Sequence, residues 1–289
     1  MKNVKIALIS ARPKIADKQE NIQKIKTAIQ KTKADIYIFG EMFLTGYPCK
    51  DDFRDLAEEI TGPSITELVK TAKKNNCYII FGMPLRDHTV TGLIYNSAIL
   101  IHPNGTVDHY NKWFLPNFGP FEERIFFDQG EEISTFQTRF GTIGLLICYD
   151  IYFPELARAL VLQGAEMLIY ISAAPNVTRK FFETLLPARA LENTVYTIYV
   201  NLAGNQDELV YWGGSQLYDP LGNQLIRSTY FEESICTIEI DLSLLTTIRG
   251  IRPLLRDIRP EIYQDIYHIT RFHKNPEKEK TIKNHKKEK

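Results

Sequence analysis

The chain has 289 residues, of which 44% are hydrophobic and 24% charged, and its 35 basic side chains balance 35 acidic ones. That composition is ordinary for a globular protein with a sizeable core, and zero net charge argues against nucleic acid or an anionic membrane surface as a partner. Near-neutrality is also a poor guard against self-association, so an oligomer fits.

In chain order, β-branched and aromatic runs alternate with helical patterns. A strand over 4–9 leads to a helix over 18–31, a strand over 35–39, a helix over 64–75 and a strand over 77–82. Residues 94–101 and 106–110 read as a hairpin around HPNGT, with strand character strongest over 97–101. The pattern resumes with a strand over 141–148, a helix over 153–163, a strand over 167–171, a helix over 179–193 and a strand over 196–201. A second hairpin, 215–218 with 224–227 around DPLGN, precedes a last strand over 234–240. This mixture predicts an α/β sandwich of two sheets between helices. No repeat or linker interrupts it, so residues 1–273 are expected to form one domain. Residues 274–289, KNPEKEKTIKNHKKEK, hold seven lysines against three glutamates and almost nothing apolar. They are expected to be a disordered, solvated tail rather than a nucleic-acid arm.

No apolar stretch approaches the roughly 20 residues that cross a bilayer. The start, MKNVKIALISARP, lacks the length and cleavage site of a secretory signal. Cys49, Cys77, Cys148 and Cys236 lie far apart without a C-x-x-C pair, which fits a reducing cytoplasm better than a disulfide framework. The histidines show no metal-ligand spacing, so neither a metal nor a cofactor is expected.

Chemistry is suggested first by TIGLLICYDIYFPE, residues 142–155. An apolar run ends at Cys148, and Pro154 and Glu155 suit the first turn of a helix. A cysteine on such a turn is presented beyond the sheet edge, where a helix start favours a thiolate. The competing reading is a small buried core residue, which unpaired cysteine often is. A nucleophile needs a base, and ADIYIFGEMFLTGYP offers Glu41 directly after a strand, where a carboxylate must be paired or used. It also needs something to neutralise developing charge. Lys112, wedged among Tyr110, Trp113, Phe114 and Phe118 and followed by Glu122 and Glu123, either snorkels over apolar surface or is buried against carboxylates. Cys49 is a rival thiol, but the adjacent acids of CKDDF disfavour its thiolate.

Glu41 in GEMFLTGYP, Lys112 in KWFLPNFGPFEE and Cys148 in LLICYDIYFPE together resemble the Glu-Lys-Cys triad of the nitrilase superfamily, the carbon–nitrogen hydrolases. LPARALEN (186–193), YVNLAGNQ (199–206), WGGSQLYDPLGN (212–223) and DIRPEIY (257–263) are similar to further family segments. The resemblance therefore runs over nearly the whole chain. It implies a four-layer α-β-β-α sandwich and an amidase-like hydrolase of a small amide or N-carbamoyl compound, working through a cysteine thioester without a cofactor. Glu41 corresponds to the general base, Lys112 to the cationic member and Cys148 to the nucleophile. The spacing of Glu123, Phe127 and Gly130 selects Glu123 over Glu122 as a further acid. The Tyr149 N–H corresponds to an oxyanion donor, Ser172 and Ala173 fall where relatives line the acyl pocket, and Tyr47 and Phe118 could wall it. Tyr152 stands where many amidase-like members have Arg, a departure from the omega-amidase pattern. A homodimer or larger homo-oligomer is expected by the same resemblance. Two alternatives are a glutaminase subunit feeding ammonia to a separate synthetase and a silent binding protein on the same fold.

Overall fold

The computed structural model describes residues 3–273, so the lysine-rich segment from 274 lies outside the described residues. The chain forms two compact units, one ending at Arg252 and one beginning at Pro253.

The first unit begins with β1 (Asn3–Ser10), α1 (Lys18–Lys31), β2 (Ile36–Ile38), α2 (Phe53–Leu56), α3 (Pro63–Asn75), β3 (Tyr78–Arg86), β4 (Ile94–Ile101), β5 (Val107–Asn111) and α4 (Glu123–Phe126). It continues with β6 (Thr135–Gln137), β7 (Thr142–Ile147), α5 (Pro154–Leu162), β8 (Met167–Ser172), α6 (Arg179–Asn193), β9 (Tyr196–Asn201) and the ribbon β10 (Ala203–Gln206) and β11 (Leu209–Trp212). β12 (Gln216–Tyr218), β13 (Gln224–Arg227), β14 (Ser234–Asp241) and α7 (Leu244–Ile251) close it. One six-stranded sheet has the order β14-β1-β2-β3-β4-β5 and the other β13-β12-β9-β8-β7-β6. Both share one plan, with a parallel centre (β1-β2-β3 and β7-β8-β9) and antiparallel neighbours outside it.

Layering follows from burial. Ile22, Ile25, Ala28 and Ile29 of α1 recur at helical spacing and join Ile65 and Leu68 of α3 over Ile79 and Phe81 of β3. Alternate strand positions, Ile6, Leu8, Ile38 and Ile80, are buried as well and face the second sheet, where β1 meets β9 and β4 meets β7. On the far side α5 and α6 cover β7 and β9. The result is the four-layer α-β-β-α sandwich, and its doubly covered strands explain the continuous apolar runs in the sequence. The helix boundaries have local causes: Asp17 caps α1 by accepting from the Glu20 N–H, Pro63 opens α3, and Asn76 ends it in the left-handed region at φ 50°.

Strand β3 runs past the predicted end at Gly82, because Met83, Pro84 and Leu85 keep pairing with β4. Conversely β7 stops at Ile147, and Cys148 opens a 3-10 turn (Cys148–Tyr152) instead of ending the strand. Among the described residues no helix is long and apolar enough to cross a membrane. In the second unit α8 (Pro260–His273) places Ile262, Ile266 and Ile269 at helical spacing.

Candidate active site

Glu41, Lys112 and Glu123, distant in sequence, meet in one buried cluster. Glu41 follows β2 through Gly40, and its backbone is held from both sheets. The Glu41 N–H donates to the Ser172 carbonyl at 3.3 Å, while Gly82 N–H donates to the Gly40 carbonyl at 3.0 Å. Gly82 is required there by space, since a Cβ on it would come within 2.3 Å of Met42 N and 2.7 Å of Glu41 Cα. The Glu41 carboxylate accepts from Lys112 Nζ at 2.8 Å and Asn96 Nδ2 at 2.7 Å through Oε1, and from the Ala173 N–H at 2.7 Å through Oε2.

Lys112 directly follows β5, and its N–H donates to Asn96 O of β4 at 2.9 Å. Its side chain is fully buried, so of the two readings left open by the sequence it is the one held by carboxylates. The second partner is Glu123 Oε1 at 2.7 Å. Glu123 begins α4 and also accepts from Tyr47 OH at 2.7 Å and from Asn96 Nδ2 at 3.4 Å. Glu122, by contrast, is exposed.

Cys148 is 7% exposed and takes φ +44°, a left-handed conformation that non-glycine residues seldom adopt. Asp150 explains how that turn is held. Its Oδ2 accepts from the Ile147 N–H at 3.0 Å and Tyr110 OH at 2.8 Å, and its Oδ1 from the Phe114 N–H at 3.0 Å. Tyr110 and Phe114 flank Lys112 in sequence, so one buried carboxylate ties the cysteine turn to the lysine segment.

Electrostatics follows burial and proximity. Burial pushes the Cys148 thiol well above its usual range, Glu41 and Glu123 add to the rise, and Lys112 opposes it. The expectation that the turn itself favours a thiolate is thus reversed at rest: desolvation and the two carboxylates outweigh the cation, and the sulfur is held as a thiol. Burial also pulls the Lys112 ammonium down, but the Glu123 and Glu41 carboxylates more than compensate, so its pKa is raised. Glu123 is raised to about 7 by burial, against the pull of Lys112, and Asp150 to about 6, likewise by burial.

The remaining predicted positions fall as follows. Tyr47 is engaged with Glu123, Ala173 uses its backbone N–H on Glu41, and Ser172 is fully buried behind both. Phe118 is 53% exposed with its ring centroid 5.4 Å from that of Tyr149. Cys49 is buried, its Sγ donating to the Thr45 carbonyl, and burial raises its thiol to about 11. Arg189 is anchored to the Ile151 carbonyl and to Glu192. A pocket of about 460 Å³ reaches Tyr47 and Glu123 from outside, and Lys50, Glu122, Asp207 and Glu208 also line it. Among the described residues no group of three or more His, Cys, Asp and Glu side chains is placed to hold a metal ion. Asn96 and Asp150 were not singled out from sequence. Asp150 sits inside the CYD motif and could have been noticed, whereas nothing local marks Asn96 on β4.

A buried thiol beside a carboxylate–ammonium–carboxylate cluster, at one end of two matched sheets, defines a site able to carry acyl transfer. The carbon-nitrogen hydrolase family matches residues 5–250, and the chain belongs to that family, within the nitrilase superfamily. Among its relatives, a probable nitrilase of Schizosaccharomyces pombe is 29% identical over 90% of this chain and 97% of its own length. Omega-amidase NIT2 of Xenopus tropicalis is 33% identical over 85% of this chain and 92% of its own. A carbon-nitrogen hydrolase from Helicobacter pylori superposes with a TM-score of 0.84 at 25% identity, covering 92% of this chain and 98% of that one.

Proposed function

We propose that the protein is an amidase that hydrolyses the C–N bond of a small carboxamide or N-carbamoyl compound through a Cys148 thioester. The observation that carries this reading is the shared hydrogen-bond set in which Lys112 joins Glu41 to Glu123 beside the thiol. Glu41 takes the thiol proton as sulfur attacks the carbonyl carbon, which matches a cysteine held protonated until substrate arrives. The oxyanion is met by Lys112, whose ammonium has three donors with two committed to Glu41 and Glu123, and by the Tyr149 N–H. Collapse breaks the C–N bond, and Glu41 returns its proton to the leaving nitrogen. Water then attacks the thioester as Glu41 takes its proton, the C–S bond breaks, and sulfur recovers the proton. Glu123, itself held by the Tyr47 hydroxyl, keeps Lys112 in place throughout.

The test is ammonia release across carboxamides, N-carbamoyl compounds and nitriles, with Cys148→Ala as blank, and mass spectrometry of quenched reactions for an acyl adduct on Cys148. Turnover with an adduct is expected, and an active Cys148→Ala protein would end the mechanism. The same reading proposes a homodimer or larger assembly, which a monomer mass by light scattering would contradict.

A further inference from the structure

Resting on the hydrolase reading above, we infer that the substrate carries an uncharged aromatic or similarly flat apolar group beyond its scissile amide, held by a run of rings that borders Cys148. Tyr149 is the residue after the cysteine. Its ring centroid lies 5.4 Å from that of Phe118 and 5.3 Å from that of Tyr152. Tyr152 in turn lies 6.4 Å from Phe181 at the start of α6. Four rings from three chain segments thus form one continuous apolar edge that begins at the nucleophile. Its outer members are unusually open: Phe118 and Phe181 are each 53% exposed, and nearby Val177 is 79% exposed. Such contiguous exposed apolar surface marks a place where another apolar body sits.

Ring geometry points the same way. Phe114 and Phe153, just behind the edge, stack at 9° with centroids 3.4 Å apart, so they close on one another. Along the edge the rings are inclined at 59°, 47° and 63°. Phe118, Tyr149 and Tyr152 each also meet one inner ring edge-on, Phe121, Phe153 and Phe182, while the exposed faces of Phe118 and Phe181 point to the outside of the run. Charge is scarce along it. Arg189 is held by the Ile151 carbonyl and Glu192, and the Arg179 guanidinium lies 5.0 Å over the Tyr230 ring. Burial, followed by Cys148 and Tyr149, raises the Tyr152 phenol to about 12, so it stays neutral. Two features favour other substrates and make the idea testable. Exposed Lys180, beside Phe181, would suit an anionic tail. The pocket by Tyr47 and Glu123, with Lys50, Asp207 and Glu208, would suit a zwitterion.

The experiment measures kcat/KM by ammonia release for 3-phenylpropionamide, propionamide, succinamate and glutamine, on the wild type and on Phe118→Ala, Tyr152→Leu and Phe181→Ala. The phenyl compound is expected to exceed propionamide by about tenfold or more, from burial of its ring. Each variant is expected to reduce that ratio by about threefold to tenfold. A ratio near one, a ratio unmoved by all three variants, or a preference for succinamate or glutamine overturns the inference while leaving the hydrolase reading intact. If the wild type turns over none of the four, that reading is in difficulty, and calorimetry on the Cys148→Ala protein decides the inference separately. Binding of 3-phenylpropionamide about tenfold tighter than propionamide upholds it, and equal or absent binding ends it.

Discussion

The two sides of the active site are built on different terms. On the side of the first sheet, both carboxylate oxygens of Glu41 and both of Glu123 accept hydrogen bonds, from Lys112, Asn96, Tyr47 and the Ala173 N–H. In the ribbon β10–β11, by contrast, Tyr211 OH and Trp212 Nε1 are buried without a hydrogen-bond partner among the described residues, as is Asn96 Oδ1 on the first sheet. Burial first, then Glu41 and Cys148, raises the Tyr211 phenol, which places it close to the thiol. Buried polar atoms are normally satisfied, so an unsatisfied one calls for an explanation, and a place close to the thiol supplies it for Tyr211. Glu41 and Lys112 are thus held fast, and adaptability is left to the ribbon near the sulfur.

The harshest way to break the contrast is Lys112→Met, which leaves two buried carboxylates without their cation. A stability loss of about 3–5 kcal/mol is expected in urea unfolding, together with loss of turnover. Adding Glu123→Gln should restore part of the stability, and no recovery would mean that Glu123 bears little of the charge. Next comes Asp150→Asn, which weakens the tether between the cysteine turn and the Tyr110–Phe114 segment. About 2 kcal/mol of stability should be lost, with kcat falling more than KM changes.

The pH response follows in size. Glu123 is raised by burial to about 7 and Asp150 to about 6 in the folded protein, so the native state holds protons that the unfolded chain has released. Their favourable contribution is complete below the unfolded carboxylate values and is lost as pH rises through about 6 and 7. Each group contributes a slope of at most about 1.4 kcal/mol per pH unit over its window. Denaturation of the wild type and Glu123→Gln between pH 4.5 and 7.5 should show the wild type losing stability relative to the variant as pH rises. Parallel curves would remove Glu123 as a titrating group. The smallest effect belongs to Tyr211→Phe, which deletes an unpartnered hydroxyl and should change stability by less than about 1 kcal/mol. A larger loss would show that the ribbon is as tightly wired as the carboxylate cluster.

Legibility in the sequence divides by the range of the interactions involved. Strands buried on both faces announce themselves as apolar runs, and α1, α3, α5 and α6 show their buried stripes, so the layered plan could be read. Glu41, Lys112 and Cys148 could be singled out because each closes a strand or an aromatic run with a chemically incongruous side chain. The short β6, the ribbon β10–β11 and the helices α4, α7 and α8 escape a reading of the sequence, since brief elements and end segments carry little periodic signal. Asn96 was invisible for another reason: its role exists only once β4 and β5 bring it under two carboxylates. The raised thiol pKa of Cys148 is not legible, because desolvation is a property of everything packed around the sulfur. A local turn cannot reveal it.

Gly82 carries no functional group, yet it decides whether Glu41 can occupy its position. A single methyl at that strand position would strike the backbone of Glu41 and Met42, at 2.7 Å and 2.3 Å, and displace the Glu41 carboxylate. The proposed activity would then be lost with every polar participant still in place. Inventories of damaging variants that count only acids, cations and thiols will miss such cases.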